Sequence, residues 1–260
     1  MNRQGFLKSA VISSAGVMFG LGVLNSFLTL QLFGQTKNSM NAIKYAFQAE
    51  IIPPGQKKQK IGGSVNIYYK GDIVVYEIPV FKTVDKQHTS GDTITVETEI
   101  SNEIDAYRYI IYKEGEDLGK QFFGLDDQSP TQVNIQHINK ELFTYTEGLF
   151  YGDNDVFKEK HQKDQNSLVE VYVPKNKPDD SYNDTTYLYF NTKFPSVKFS
   201  LDKNLDSKRK DKLTKAVLVY NGNDTHPRMN LTFEIQVALD NRIKILTEFL
   251  IKRKYVNQME

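Results

Sequence analysis

The stretch of residues 62–81, GGSVNIYYKGDIVVYEIPVF, constrains this chain more than any other. Two runs rich in apolar residues flank Gly71-Asp72, and glycine at the first loop position suits a two-residue hairpin turn of type II′. That loop sets Tyr69 opposite Val74, Ile67 opposite Tyr76 and Val65 opposite Ile78, so these six share one face. Ser64, Asn66, Lys70 and Glu77 fall on the other. A three-residue loop would put Val65 against Glu77 and mix the faces. Because a one-residue slip moves every side chain across the sheet, the two-residue register is the consistent one. On this register Ile67→Asp should be costly and Asn66→Asp tolerated. The fold class that follows is mainly β: an antiparallel meander sheet, as a curved half-barrel or a sandwich, with one or two short helices.

The 260 residues are long enough for a sizeable core, and a net charge of +1 supplies no global field to recruit nucleic acid or an anionic membrane. Fifteen tyrosines and sixteen phenylalanines suit strands. Cysteine is absent, which excludes a disulfide framework, a thiol nucleophile, cysteine zinc sites and a lipid-modified N-terminal cysteine.

Arg3 and Lys8 precede a stretch, residues 9–36, without a charged side chain. A positive flank, an apolar run and the small Gly34 make residues 1–34 a secretory signal peptide; the run is also long enough to be an uncleaved membrane anchor. Either way residues 35–260 are expected outside the cytoplasm as a single antiparallel β-rich domain, in the periplasm, outer envelope or medium, or held at the inner membrane.

Along the exported part, residues 43–52 alternate as a first strand, ended by Pro53-Pro54-Gly55. The central hairpin follows, with Pro79 marking an edge or a bulge. Residues 82–92 read as a polar loop, 93–100 and 107–113 as strands, and 120–125 as a further one. Ser129-Pro130-Thr131-Gln132 has the form of a helix start, with Ile135, Ile138 and Leu142 at helical spacing, although Val133 and Ile135 also suit a strand. Residues 143–150 suit a strand, and 152–166 a loop or short exposed helix. Strands are expected at 167–173, 185–191, 197–201 and 216–220, with a solvated charged stretch at 202–215. Residues 231–237 and 243–251 both alternate, which predicts a second hairpin pairing Val237 with Ile243 around Leu239-Asp240-Asn241.

Chemistry-bearing groups are scattered. His88, His137, His161 and His226 each lack a second ligand at a metal-binding spacing, so no metal site and no cofactor is expected. Gly152-Asp153-Asn154-Asp155 lacks the glycine and terminal glutamate of a calcium loop. Asp126-Asp127 and Asp179-Asp180 are neighbours in loops, where aspartates form turns, whereas acid–base work needs carboxylates set across a cleft. No nucleophile elbow, P-loop or dinucleotide fingerprint occurs. Tyr68, Tyr109, Tyr112, Tyr187 and Tyr189 stand in strands, either lining a concave sheet face or forming cross-strand aromatic pairs. Catalytic and ligand-binding residues are therefore not assigned.

The leader ending FGQ, the strand IKYAF, the hairpin IYYKGDIVVYEIP and the later YRYIIYKEG are similar to the exported Bacteroidetes β-proteins of the GLPGLI family; the naming motif itself is absent, with Gly124-Leu125-Asp126-Asp127 standing nearest to it. The resemblance implies an envelope location and a β-sheet, and carries no catalytic residues. The functional expectation is a non-enzymatic binding protein of the cell envelope, taking an apolar ligand or an envelope protein as partner. No nucleic acid is expected, and membrane contact only through the N-terminal segment. A hydrolase with dispersed carboxylates and a membrane-anchored scaffold are the alternatives.

Overall fold

A computed structural model describes residues 40–90, 93–143, 150, 152–177, 182–194, 198–209, 211–238, 242–253 and 255. The leader, Asp179-Asp180, the turn Leu239-Asp240-Asn241 and residues 144–149 of the strand expected at 143–150 lie outside the described residues, while Phe143 is helical. The fold is mostly β. Eleven strands, β1 (Asn41–Ile52), β2 (Gln59–Lys70), β3 (Ile73–Ser90), β4 (Thr93–Lys113), β5 (Leu118–Phe122), β6 (Thr131–Asn134), β7 (Asp155–Asp164), β8 (Ser167–Pro174), β9 (Thr185–Asn191), β10 (Lys212–Tyr220) and β11 (Arg228–Val237), form one sheet. Its order is β6-β5-β4-β3-β2-β1-β11-β10-β9-β8-β7, a meander that leaves β6 and β7 at the two ends. Among the described residues three helices accompany it: α1 (Ile135–Phe143), α2 (Lys203–Lys208) and α3 (Ile243–Lys252).

The central hairpin has the two-residue register. Lys70 pairs with Ile73, Tyr69 with Val74 and Ile67 with Tyr76, and Gly71 takes a positive φ of 62° in the turn. Val65, Ile67, Tyr69, Val74, Tyr76 and Ile78 are all buried, as that face requires. The opposite face departs from expectation, because Tyr68, Ile73, Val75 and Glu77 are buried as well.

Several segments differ from the sequence reading for identifiable reasons. Residues 82–90 are strand and not loop: β3 and β4 continue as a paired ladder to Ser90↔Thr93, which satisfies the backbone of a polar stretch. The register shifts beside Val80 and Phe81 are the irregularity that Pro79 foretells. Residues 155–164 form an edge strand, exposed along nearly its whole length, so both of its faces are charged and no alternation shows. Ser129 does not cap a helix. Thr131–Asn134 is a strand, and α1 starts after Asn134, whose Oδ1 accepts from His137 N at 3.0 Å. Residues 198–201 are not strand.

The largest correction is at the C-terminus. Residues 243–252 are helical and form no hairpin with β11. The segment fits both periods, and burial decides between them: Leu246, Phe249 and Leu250 are covered, whereas Ile245 and Ile251, which a strand would bury, are about half exposed at 48% and 49%.

The chain packs as two compact units. One comprises Tyr45–Gly63 and Asn139–Gln236; the other comprises Ser64–Ile138 with the described residues of the flanking stretches, 40–44 and 237–255. In the first unit the register sets Glu170, Leu188, Ala216 and Phe233 in one row across β8, β9, β10 and β11, all of them buried; Leu201, just before α2, and Leu205 within it are buried too. In the second, Tyr68, Ile73, Val75, Tyr109, Ile111 and Phe122 pack with Leu246, Phe249 and Leu250 of α3.

Candidate functional site

In the second unit, Asn66, Glu77, Tyr109 and Phe122 stand directly opposite one another on β2, β3, β4 and β5. This row lies on the face under α3. Glu77 has no exposed surface, and an isolated carboxylate there would be prohibitively costly. Oε2 is hydrogen-bonded and Oε1 faces a cation at ion-pair distance. Asn66 Nδ2 donates to Oε2 at 2.9 Å, Tyr68 Oη donates to the same oxygen at 3.0 Å, and Arg242 Nε lies 3.1 Å from Oε1.

Arg242 is the residue from which α3 starts, and it uses its side chain on the sheet and not to cap the helix. Its guanidinium also donates to Tyr109 Oη and lies 4.4 Å from the centroid of the Tyr107 ring. The site is therefore a clamp, in which one buried acid on β3 receives the base that begins the covering helix. Burial pushes the Tyr109 phenol well up from its usual value, and the neighbouring Glu77 charge adds to this. Glu77 and the nearby tyrosines hold the Arg242 proton more firmly than usual against the opposing effect of burial.

The first unit contains a second clamp of the same composition. Glu170 on β8 is buried, accepts from Tyr172 Oη at 2.7 Å, and meets Arg209 Nη2 at 2.5 Å. Arg209 directly follows α2 and lies 4.1 Å over the Phe190 ring. In each unit, then, a strand glutamate, a tyrosine hydroxyl and an arginine stacked on an aromatic ring join a helix to a sheet face. The acid in each case is occupied by its partners.

The five singled-out tyrosines do not come together in one place. Tyr68 and Tyr109 belong to the Glu77 site; Tyr112 pairs with Tyr76, hydroxyl to hydroxyl at 2.7 Å. Tyr187 and Tyr189 are half-buried on β9, where Lys163 and Lys215 lie 5.7 Å and 5.6 Å from the centroid of the Tyr189 ring. Asp127 is a turn former: its carboxylate accepts from Phe123 N and Ser129 N, which hold it below the usual carboxylate range. Asp155 likewise closes a turn onto Gly152 N at 2.7 Å. His137 is exposed on α1, His161 sits 3.3 Å from Glu159 and His226 lies in a turn with Asn223 and Thr225. His88 falls on β3. Among the described residues no three of His, Cys, Asp or Glu form a metal-holding group, and no helix is long and apolar enough to cross a membrane.

The sequence reading missed both glutamates. Tyr68 and Val75 share the face of Glu77 in the hairpin register, and an apolar neighbourhood around one acid was the available sign that a base must cover it. Arg242, directly before the apolar run of α3, was its partner.

No family model matches the chain, and no curated protein matches it. Solved structures align only loosely. A LolA superfamily protein from Nitrosomonas europaea shares 9% identity over 78% of this chain and 89% of its own, with a TM-score of 0.22. The ywiB protein from Bacillus subtilis shares 10% over 76% and 93%, with a TM-score of 0.16. A DUF1329 family protein from Desulfovibrio piger shares 10% over 76% and 87%, with a TM-score of 0.20. At such TM-scores these likenesses decide neither fold nor activity.

Proposed function

We propose that the chain is an exported, non-enzymatic binding protein of the cell envelope. Residues 1–34 act as leader or anchor, and the sheet face under α3 receives an apolar ligand. The observation that carries this reading is the make-up of that face. Tyr68, Ile73, Val75, Tyr109, Ile111 and Phe122 form an apolar surface covered by one ten-residue helix, and the buried acid on it, Glu77, is paired with Arg242. An isolated helix of that length is marginal in water, so α3 keeps its place through its seat on the sheet and can be displaced by a competing apolar surface. The buried glutamates are paired with arginine and hydrogen-bonded by tyrosine, which leaves them poorly placed for acid–base work. The GLPGLI resemblance of the first half of the chain supports the same location.

Titration of the purified protein with a fluorescent long-chain fatty acid tests the binding. The expected result is saturable uptake near one equivalent, competed by unlabelled fatty acid and altered by Leu246→Ala. Absence of saturable uptake overturns the reading. N-terminal sequencing of protein recovered from the envelope fraction tests the leader, and full-length protein free in the cytoplasm would refute export.

A further inference from the structure

Two cross-strand rows on the face under α3 meet a cation at β5. In one row Tyr68, Val75, Ile111 and Lys120 stand opposite one another on β2, β3, β4 and β5. Tyr68, Val75 and Ile111 are buried and Lys120 is exposed, so this row turns from apolar to charged at its last residue. The other row ends at Phe122. There the guanidinium of Arg253, directly after α3, lies 5.4 Å from the centroid of the Phe122 ring and 5.5 Å from that of Phe249. Lys120 and Phe122, two residues apart on one strand, share this face. Lys120 Nζ in turn lies 5.9 Å from the centroid of the Tyr255 ring, which packs against the same apolar cluster.

The donors of this corner are only partly used. Arg253 Nη2 donates to the Asp127 carbonyl, while the Asp127 carboxylate accepts from Phe123 N and Ser129 N. A guanidinium carries further N–H donors. Arg253 Nε is one of them and is buried, as is Tyr255 Oη, and among the described residues neither atom has a hydrogen-bond partner. Burial raises the Tyr255 phenol from its usual value and the Arg253 charge opposes this, so the two groups lie within electrostatic reach of one another. Unmatched buried donors at the end of an apolar face favour a ligand that brings an acceptor together with an apolar body. The planar fork of arginine suits a carboxylate, and Lys120 adds a second positive charge.

We propose that Lys120, Arg253 and Tyr255 form the head-group subsite of the face under α3, and that its ligand is a long-chain carboxylate whose chain runs along Ile111, Val75 and Tyr68. The inference rests on the ligand reading and narrows it from an apolar ligand to an anionic amphiphile. The test is titration of the full chain with a fluorescent long-chain fatty acid and with its methyl ester, which keeps the chain and loses the charge. The acid is expected to bind about tenfold more tightly, the factor that one charge-assisted hydrogen bond supplies. Lys120→Gln, at an exposed position, and Arg253→Gln should each shrink that preference at least about threefold. Lys82→Gln, which removes an exposed cation from β3, should leave the preference as it is. Arg253→Gln also gives up the stacking on Phe122 and Phe249, so Lys120→Gln decides the matter if that variant does not fold. Equal affinity for acid and ester, or a preference that Lys120→Gln does not change, overturns the subsite while the ligand reading stands. Uptake of neither compound overturns both.

Discussion

Asn66 Nδ2 donates to Glu77 Oε2 at 2.9 Å across the β2–β3 ladder, under the helix that Arg242 begins. The position that reads as a tolerant polar face is therefore part of a buried charge site. Asn66→Asp puts a second carboxylate beside Glu77, and two acids at that distance cannot both ionise. The pKa of the introduced acid is raised in the folded state, so its penalty is largest at neutral pH and is relieved as pH falls through that raised value. Urea denaturation is expected to show Asn66→Asp markedly destabilised at pH 8 and less so at pH 5. A loss that does not change with pH would show that the two groups are not coupled.

Removing the base alone should be worse than removing both charges. A broken buried pair costs about 3–5 kcal/mol. Arg242 keeps 30% of its side chain exposed, which places Arg242→Met nearer about 2–3 kcal/mol. Glu77→Gln added to Arg242→Met should recover most of that loss, since glutamine still accepts from Asn66 and Tyr68. A double variant no more stable than Arg242→Met would show that the carboxylate is not the source of the cost.

The seat of α3 can be read by truncation. Leu246→Ala, at a fully buried site, is expected to cost about 2–5 kcal/mol, and Ile245→Ala, half exposed, well under about 1 kcal/mol. The reverse order in thermal or chemical melts would restore a strand at this segment.

Gly119 on β5 is a packing constraint. A Cβ there would fall 2.6 Å from Ile135 Cδ1 and 2.9 Å from Ile111 O. Gly119→Ala should cost about 1–3 kcal/mol through overpacking. Ile135→Val should relieve only part of this, because the Ile111 carbonyl cannot give way. Complete rescue in a melting experiment would place the whole clash at the side chain.

Alkaline pH should unfold the protein through its tyrosines. Burial pushes the phenols of Tyr76, Tyr109 and Tyr112 above their usual value near 10. Groups raised in this way contribute stability that is full below about pH 10 and is lost as pH rises through the folded values. Absorbance titration should show fewer than fifteen tyrosines ionising while the native circular dichroism persists, with the remainder appearing as it collapses. Ionisation of all fifteen near pH 10 without loss of structure would contradict their burial.

The hairpin register was legible because Gly71-Asp72 permits one loop length and the alternation on both sides agrees with it. Strands β8 and β9 were legible for the same reason, a clear alternation bounded by turn residues. α3 was not, since residues 243–252 satisfy periods of 2 and 3.6 together and only the apolar underside of β2–β5 selects the helix. β7 was hidden because an edge strand has no buried face to print on its sequence. The Glu77 site was half visible: its acid and its apolar neighbours lie within one hairpin, but its base arrives from the far end of the chain, and no local pattern announces that meeting.

The place of β1 in the strand order has a bearing on how the chain reaches its fold. β1 lies between β2 and β11, whose residues are made last among the strands. A chain emerging N-terminus first must hold one edge of β1 open until residue 237 is free. Such late, sequence-distant closure slows folding.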